Sequence, residues 1–323
     1  MKVLHLTNNY PTLTYPIFGI FVKEQIESLK NIDIDCDVLF INGREKGKVE
    51  YLKSIFRLRQ FLNINKYDII HCHHAISALC LIISGAIKKN KVIVSFQNDP
   101  ENEYGQFVYQ FIKRRIHQSI FKNNSKLIVD DTCSYLANGV NTSFFIRREE
   151  AESYKKLGLE SSKTYILFVS SNFIRKQKRY DRFKEVLRIL KTQYHWTDLE
   201  ELILTNTQRD LVPYYFSASR LHLLTSDFEG SPNSVKESMS CNTPVVSTPV
   251  GNVQEMLSGA DNCFVTHSFD PEELASFCDK ALKTNGNPRE LILQKNLDIE
   301  SVALKLKQIY TKVIIRNLNS NEQ

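Results

Sequence analysis

Glu229 and Glu237 stand eight residues apart, and the residues between them are Gly230-Ser231-Pro232-Asn233-Ser234-Val235-Lys236. An apolar strand pattern, Thr243-Pro244-Val245-Val246-Ser247-Thr248, follows at once. Proline is at home in the first helical position, where its missing N–H costs nothing. The spacing therefore predicts Glu229 in the loop after a strand, Pro232 opening a helix and Glu237 inside that helix. A loop that runs into a helix N-terminus offers unpaired backbone N–H groups and the positive end of a dipole, a seat for phosphate. Carboxylates accept hydroxyl protons, so the pair could bracket a ligand that carries hydroxyls beside a phosphate. On spacing alone, a surface loop with two solvated glutamates is the favoured reading.

A second concentration of charge lies upstream. Arg175, Lys176, Lys178, Arg179 and Arg182 follow the apolar run Ile166-Leu167-Phe168-Val169. Cations fixed beside a phosphate stabilise the negative charge that builds as a bond to it breaks. Arginine can grip two phosphate oxygens and lysine adds a point charge. The plain alternative is a solvated basic run. His71, Cys72, His73 and His74 invite a metal reading, but on a strand His71 and His73 share one face while Cys72 points to the other. No second His/Cys cluster has a matching spacing, so no metal is expected. His71 reads as a buried ring bonded to a backbone carbonyl, and His73 as the residue at the strand end. Gly19 could let backbone approach a ligand closely, or could be a turn glycine before a helix. No G-x-G-x-x-G, G-x-x-x-x-G-K-[ST] or G-x-S-x-G occurs, which argues against a nicotinamide dehydrogenase.

The elements that must position these residues alternate in type. Strand patterns fall at 3–8, 36–42, 68–73, 91–97 and 126–130, then at 165–170, 200–205, 220–225, 243–248 and 262–266. Helical patterns fall at 18–30, 75–88, 105–122, 178–194, 270–284 and 299–314. Many strands are continuous apolar runs, as expected where both faces of a parallel sheet are covered. The succession is βαβ, so the class is α/β. The charged stretch Arg147-Arg148-Glu149-Glu150 and the polar Glu160-Ser161-Ser162-Lys163 mark a boundary. Two doubly wound, Rossmann-like domains are expected, 1–150 and 151–323, with the last helix packing back on the first. Ligands in such sheets bind beyond the carboxyl ends of the strands, where the candidate residues fall.

Composition bounds the rest. The chain has 323 residues, 42% hydrophobic and 24% charged, enough for two globular cores. Its seven cysteines are scattered without a C-x-x-C and read as reduced thiols of a cytoplasmic protein. The longest apolar run, Ala75 to Ile87, is too short to span a bilayer. Net charge is +6, with clusters at Arg44–Arg59 and Lys113-Arg114-Arg115, which favours phosphorylated ligands or an anionic surface. No nucleic-acid motif accompanies it. Residues 49–63 set Leu52, Ile55, Phe56 and Leu62 among Lys53, Arg57 and Arg59. This is either a helix lying on an anionic membrane or one whose apolar stripe faces the sheet.

The Glu229–Glu237 stretch resembles the EX7E signature of glycosyltransferase family 4, retaining enzymes with a GT-B fold. The likeness extends to Thr7-Asn8-Asn9-Tyr10-Pro11-Thr12, Gly19-Ile20-Phe21-Val22-Lys23-Glu24-Gln25, Asp68-Ile69-Ile70-His71-Cys72-His73, Asn138-Gly139-Val140-Asn141 and Ile166-Leu167-Phe168-Val169 with Arg175 and Lys178. The resemblance implies two domains facing a central cleft, the first for the acceptor and the second for a nucleotide-sugar donor. Arg175 and Lys178 are implied to hold the leaving diphosphate without a metal or other cofactor. Glu237 is implied to hold the ribose, Glu229 to lie near the donor sugar, and His73 to face the cleft. Gly19 and the stretch Gly230, Ser231, Pro232, Asn233 and Ser234 are implied to meet the donor. Gln97 and Asp99 lie on the acceptor side, where Ser95-Phe96-Gln97-Asn98-Asp99-Pro100 departs from the family pattern. Ser170 and Asn242 replace glycines of many members. The implied reaction is sugar transfer to a glycan or lipid-linked acceptor in cell-surface polysaccharide synthesis, in the cytoplasm or on the inner face of the membrane. A sugar-nucleotide epimerase and an inactive nucleotide-sugar-binding partner are the alternatives.

Overall fold

The computed structural model describes residues 1–171 and 176–319. The chain forms two compact units, Met1–Gly139 with the segment from Ile299, and Val140–Asp298. The first unit runs β1 (Lys2–Thr7), α1 (Ile20–Lys30), β2 (Asp35–Phe40), α2 (Gly43–Lys46), α3 (Val49–Ile64), β3 (Ile69–Cys72) and α4 (Ala75–Ile83). It continues with β4 (Val92–Phe96), α5 (Pro100–Tyr104), α6 (Gln106–Lys113), β5 (Gln118–Phe121) and β6 (Cys133–Tyr135). The second runs α7 (Glu150–Leu157), β7 (Thr164–Val169), α8 (Tyr180–Thr192), β8 (Leu199–Leu204), α9 (Val212–Ala218), β9 (Leu221–Leu224), α10 (Asn233–Ser240) and β10 (Val245–Ser247). It ends with α11 (Val253–Leu257), β11 (Phe264–Val265), α12 (Pro271–Lys283) and α13 (Arg289–Gln294). The chain then returns to the first unit as α14 (Ile299–Asn319).

Both sheets are parallel, in the orders β2-β1-β3-β4-β5-β6 and β11-β10-β9-β7-β8. Parallel strands joined by crossover helices are covered on both faces, and the burial shows it. Leu4, Leu6, Ile70, Cys72, Val94 and Phe121 pack in one cluster, whereas Val3, Ile69, Ile93 and Ile120 pack in another with Val22 and Ile26 of α1 and Leu306 and Tyr310 of α14. Thus alternate residues of one strand serve opposite layers. The α/β architecture of two doubly wound sheets stands as the sequence implies.

Three local readings differ. The pattern at 105–122 is not one helix: α6 stops at Lys113, and Gln118–Phe121 is the fully buried strand β5. Its polar start hides it, but Gln118 is satisfied in place by donating from Nε2 to Ser134 Oγ at 2.9 Å. The apolar stretch 126–130 is no strand. Leu127 and Ile128 reach the core from a turn in which Ile128 N–H donates to Ser125 O. The division between units falls at Gly139/Val140, earlier than 150, because Val140 bridges to Asp298 and donates to Leu297 O at 2.9 Å. The last helix packs on α1, and Lys307 Nζ donates to Ile32 O at 3.1 Å.

Candidate functional sites at the carboxyl edges of the two sheets

In the second unit, β9 ends at Leu224 and the chain loops through Ser226, Asp227 and Glu229 into α10. Pro232 is the N-cap and Asn233 the first helical residue, one position later than expected. The loop is tied to the 3-10 turn Lys176–Lys178 that follows β7: Asp227 N–H donates to Gln177 O at 2.9 Å, and Thr225 Oγ1 donates to Lys178 O at 2.9 Å. These ties bring Lys178 Nζ to 2.6 Å from Glu229 Oε1, with the two side chains only 12% and 13% exposed. Ser226 Oγ donates to the same oxygen at 2.8 Å. An ammonium carries three N–H donors, so a lysine bonded to one carboxylate keeps capacity for a phosphate oxygen.

Two neighbouring cations, Arg179 and Arg182, are committed elsewhere. Arg179, in the left-handed region at φ 52, grips Asp181 through both Nε and Nη2 and reaches Asp227 Oδ1 at 3.1 Å. The buried Arg182 donates to Thr225 O at 2.6 Å and to Asp227 Oδ1 at 3.0 Å. Those two arginines brace the loop. Arg175 lies outside the described residues. A cavity of about 590 Å³ lined by Ser170, Gln177, Lys178, Tyr180 and Asp227 opens beside the turn.

The glutamate inside α10 has its own cation. Arg209 Nη1 lies 3.0 Å from Glu237 Oε1, and the guanidinium stacks over the Phe145 ring at 4.6 Å. Sequence reasoning missed Arg209. The signal was its place just beyond the carboxyl end of β8, which no motif marks. Around the helix start, Ser231 Oγ accepts from the fully buried Lys236 Nζ at 2.9 Å. Ser234 Oγ sits 3.1 Å from His222 Nε2, whose other ring nitrogen is 3.2 Å from Leu167 O. A carbonyl only accepts, so His222 Nδ1 carries the proton and Ser234 donates to Nε2. Burial pushes this imidazole down to about 4, so it is neutral. The side chains of Ser231 and Ser234 are thereby engaged, and the backbone N–H groups of the helix start remain as anion donors. Asn233 Oδ1 is buried without a partner.

Two glycines explain the loop's shape. A Cβ on Gly251, at φ +55, would meet Gly230 O at 2.2 Å, while Gly230 O accepts from Asn252 N–H at 3.1 Å. A Cβ on Gly19, at φ +70, would meet the Asn9 carbonyl at 2.3 Å. Gly19 is thus needed for backbone approach within the loop after β1. Asn242 sits at φ 61 just past α10. Asparagine is the side chain that best tolerates that region.

The first unit's edge is different in kind. His5, His71 and His73 lie on one face, with ring nitrogens within 4.8 Å of one another. His71 is bonded to Tyr310 Oη at 2.7 Å and to Ser95 Oγ at 2.8 Å, not to the expected backbone carbonyl. His5 Nδ1 and His73 Nε2 share a hydrogen bond of 2.9 Å. The rings of His71 and His73 stack with centroids 4.3 Å apart and planes 24° from parallel. In this arrangement both ring nitrogens of His71, Nδ1 of His5 and Nε2 of His73 are taken up in hydrogen bonds. Burial holds His71 and His73 well below the usual imidazole range and His5 at about 3. His73 is almost fully buried in this unit. Gln97 Nε2 donates to His73 O at 3.3 Å, and Asn138 Nδ2 donates to Gln97 Oε1 at 3.3 Å. Asp99 caps α5, accepting from Glu101 N–H at 2.9 Å and Asn102 N–H at 3.1 Å, with Pro100 opening the helix. Its carboxylate has a structural task.

This pair of parallel-sheet units defines the class. Residues 19–131 match the family model "Glycosyl transferase 4-like", and residues 176–284 match "Glycosyl transferases group 1". The backbone is similar to sucrose-phosphate synthase from Thermosynechococcus elongatus, at 14% identity and TM-score 0.75, covering 98% of this chain and 99% of that one. It is similar to Anabaena HepE in complex with UDP, at 15% identity and TM-score 0.66, covering 97% and 100%. It is similar also to the catalytic domain of starch synthase IV from Arabidopsis thaliana bound to ADP and acarbose, at 11% identity and TM-score 0.66, covering 97% and 99%. No curated protein matches the chain. The fold is GT-B, and the chain is a glycosyltransferase.

Proposed function

We propose that this glycosyltransferase belongs to family 4 and moves a sugar, with retention of anomeric configuration, from a nucleoside diphosphate sugar to a glycan or lipid-linked acceptor. The observation that carries the reading is the Lys178–Glu229 pair held 2.6 Å apart beside the start of α10, with Glu237 inside the same helix. Relatives of the same fold bind UDP, UDP-glucose and ADP, which supports a nucleoside diphosphate leaving group. Its phosphates would sit on the N–H groups of the helix start, with Lys178 and Arg175 offsetting charge as the bond from sugar to phosphate breaks. The electron pair leaves with the diphosphate, the acceptor oxygen attacks the same face, and its proton passes to a phosphate oxygen. Glu229 anchors the sugar and offsets its positive charge. Glu237 holds the ribose hydroxyls. No metal is required in this reading, since two cations and a helix dipole supply the stabilisation.

The setting we infer is cell-surface polysaccharide assembly at the cytoplasmic face of a membrane. Supporting it, Val49, Leu52 and Phe56 of α3 project outward, Phe56 being 73% exposed, while Ser54 and Leu58 of the same helix are buried. Lys53 and Arg59 flank that exposed stripe. The helix therefore presents one face to the core and another to the surroundings. No helix among the described residues is long and apolar enough to cross a membrane.

A panel of nucleoside diphosphate sugars tests the activity. A bound donor at 100 times its dissociation constant stabilises by about 2.7 kcal/mol. The identified donor, supplied with glycan and lipid-linked acceptors, should yield a product of unchanged anomeric configuration by NMR. Inversion would refute the retaining assignment. Nucleotide release with an epimerised free sugar would favour the epimerase, and binding without turnover the inactive partner.

A further inference from the structure

Lys122 is the first residue beyond β5 and is fully buried, and its Nζ has no hydrogen-bond partner. The pairing Phe96↔Phe121 sets it one step past the register, beside Gln97 at the end of β4. It shares a sheet face with Ile120, Ser95, His71 and His5, the face covered by α1 and α14. At this edge β3 supplies His73 and His74, β4 supplies Gln97, β1 leads to Asn9, which is 2.8 Å from His74 Nε2, and α14 supplies Tyr310. These groups are neutral imidazoles, amides and a phenol. Lys122's positive charge lowers the basicity of His71, His73 and His74 further. Burial alone pushes the ammonium down to about 7, with no carboxylate acting on it.

A buried cation without a counter-charge is costly, and replacement by an apolar side chain of like volume is often stabilising. The fold gains nothing from a lysine here. Open parallel sheets take ligands beyond the carboxyl ends of their strands. The chain leaves the interior within two residues, since Asn123 is half-buried and Asn124 exposed. The four-carbon stem of lysine can therefore swing its ammonium a short way to the surface. We propose that Lys122 is the anion-recognising group of the first unit, pairing with a phosphate or carboxylate carried by the acceptor. The missing counter-charge is then supplied by substrate. The neutral surroundings exclude internal carboxylates that would compete for the cation.

The inference rests on the glycosyltransferase reading for the source of the anion, and its test does not use turnover. Inorganic phosphate and, separately, glucuronate are titrated against the full chain, with melting temperature as readout. All proteins carry Lys178→Ala, which weakens the phosphate seat of the second unit. Lys122→Met should melt above its parent without ligand and lose at least about tenfold in apparent affinity for one of the two anions. Lys122→Arg should retain that affinity, which a merely structural lysine would not require. A loss confined to phosphate assigns a phosphoryl group on the acceptor, and a loss confined to glucuronate assigns a carboxylated sugar. Equal titrations of parent and Lys122→Met with both anions would overturn the proposal, leaving donor binding in the second unit untouched as a separate result.

Discussion

The carboxyl edges of the two sheets solve opposite electrostatic problems. In the second unit both candidate carboxylates are matched: Glu229 with Lys178 at 2.6 Å, Glu237 with Arg209 at 3.0 Å. In the first unit four imidazoles are kept neutral and one buried ammonium has no partner. A paired edge is organised before a ligand arrives, which suits stabilisation of charge that develops during bond breaking. A neutral edge with one unmatched charge suits recognition. The contrast teaches that the same fold, used twice, can carry opposite charge arrangements at equivalent sheet edges.

The sharpest way to break this contrast is to remove cations from the paired edge. Lys178→Ala should lower kcat on the order of 10²-fold or more, and Arg175→Ala similarly, measured by nucleotide release at saturating donor. Lys176→Ala should do much less. Arg179→Ala should instead lower stability, because Arg179 braces Asp181 and Asp227. Equal losses of kcat at all four positions would reduce the clamp to a diffuse basic surface. Glu237→Gln should next raise the donor KM, by roughly 10- to 100-fold, if Glu237 makes the charged hydrogen bond to the ribose proposed above. A change in kcat with KM unaltered would move Glu237 from binding to chemistry.

The neutral edge is tested by acid. His5 is held at about 3 and His74 at about 4 in the folded chain, against about 6.5 for a free imidazole. Between those values the unfolded chain binds more protons than the folded one, so folding stability is present above about pH 6.5 and declines as pH falls. Urea denaturation should give a lower midpoint at pH 5 than at pH 7.5, with a shallower dependence in His5→Gln. A midpoint independent of pH over that range would show that these rings titrate freely. Chelation is expected to leave turnover unchanged, and a strict requirement for a divalent ion would reopen the histidine trio as ligands. The smallest effect is expected at α3. Sedimentation with anionic vesicles should be weakened by salt and by Lys53→Gln with Arg59→Gln. Arg57→Gln should contribute less, since that side chain is tied to Glu50 at 3.1 Å. Protein left in the supernatant at low salt would remove the membrane from the picture.

The second site was the more legible of the two, for a physical reason. Its residues follow one another in a loop and a helix, so Glu229, Pro232 and Glu237 declare their geometry by spacing. Arg209 was not visible because its partner is 28 residues away on another element. The first site was obscure because polar residues there occupy strand positions. Gln118 opened a buried strand inside the pattern read as a helix over 105–122, and Lys122 closes that same pattern. Nothing local says that a lysine will be buried. That follows from the register of β4 against β5, a long-range property. The histidine run was visible, but His5 and Tyr310, which fix its rings, are contributed by β1 and α14.

The return of α14 to the first unit has a consequence for how the protein is made. Tyr310 completes the layer over His71, yet the ribosome adds it only after the whole 140–298 stretch. At translation rates of about 5–20 residues per second, the first sheet waits roughly ten to thirty seconds with that face covered by α1 but not yet by α14. The second unit, whose segments are contiguous, can fold during that interval. The unit synthesised first is therefore the one finished last.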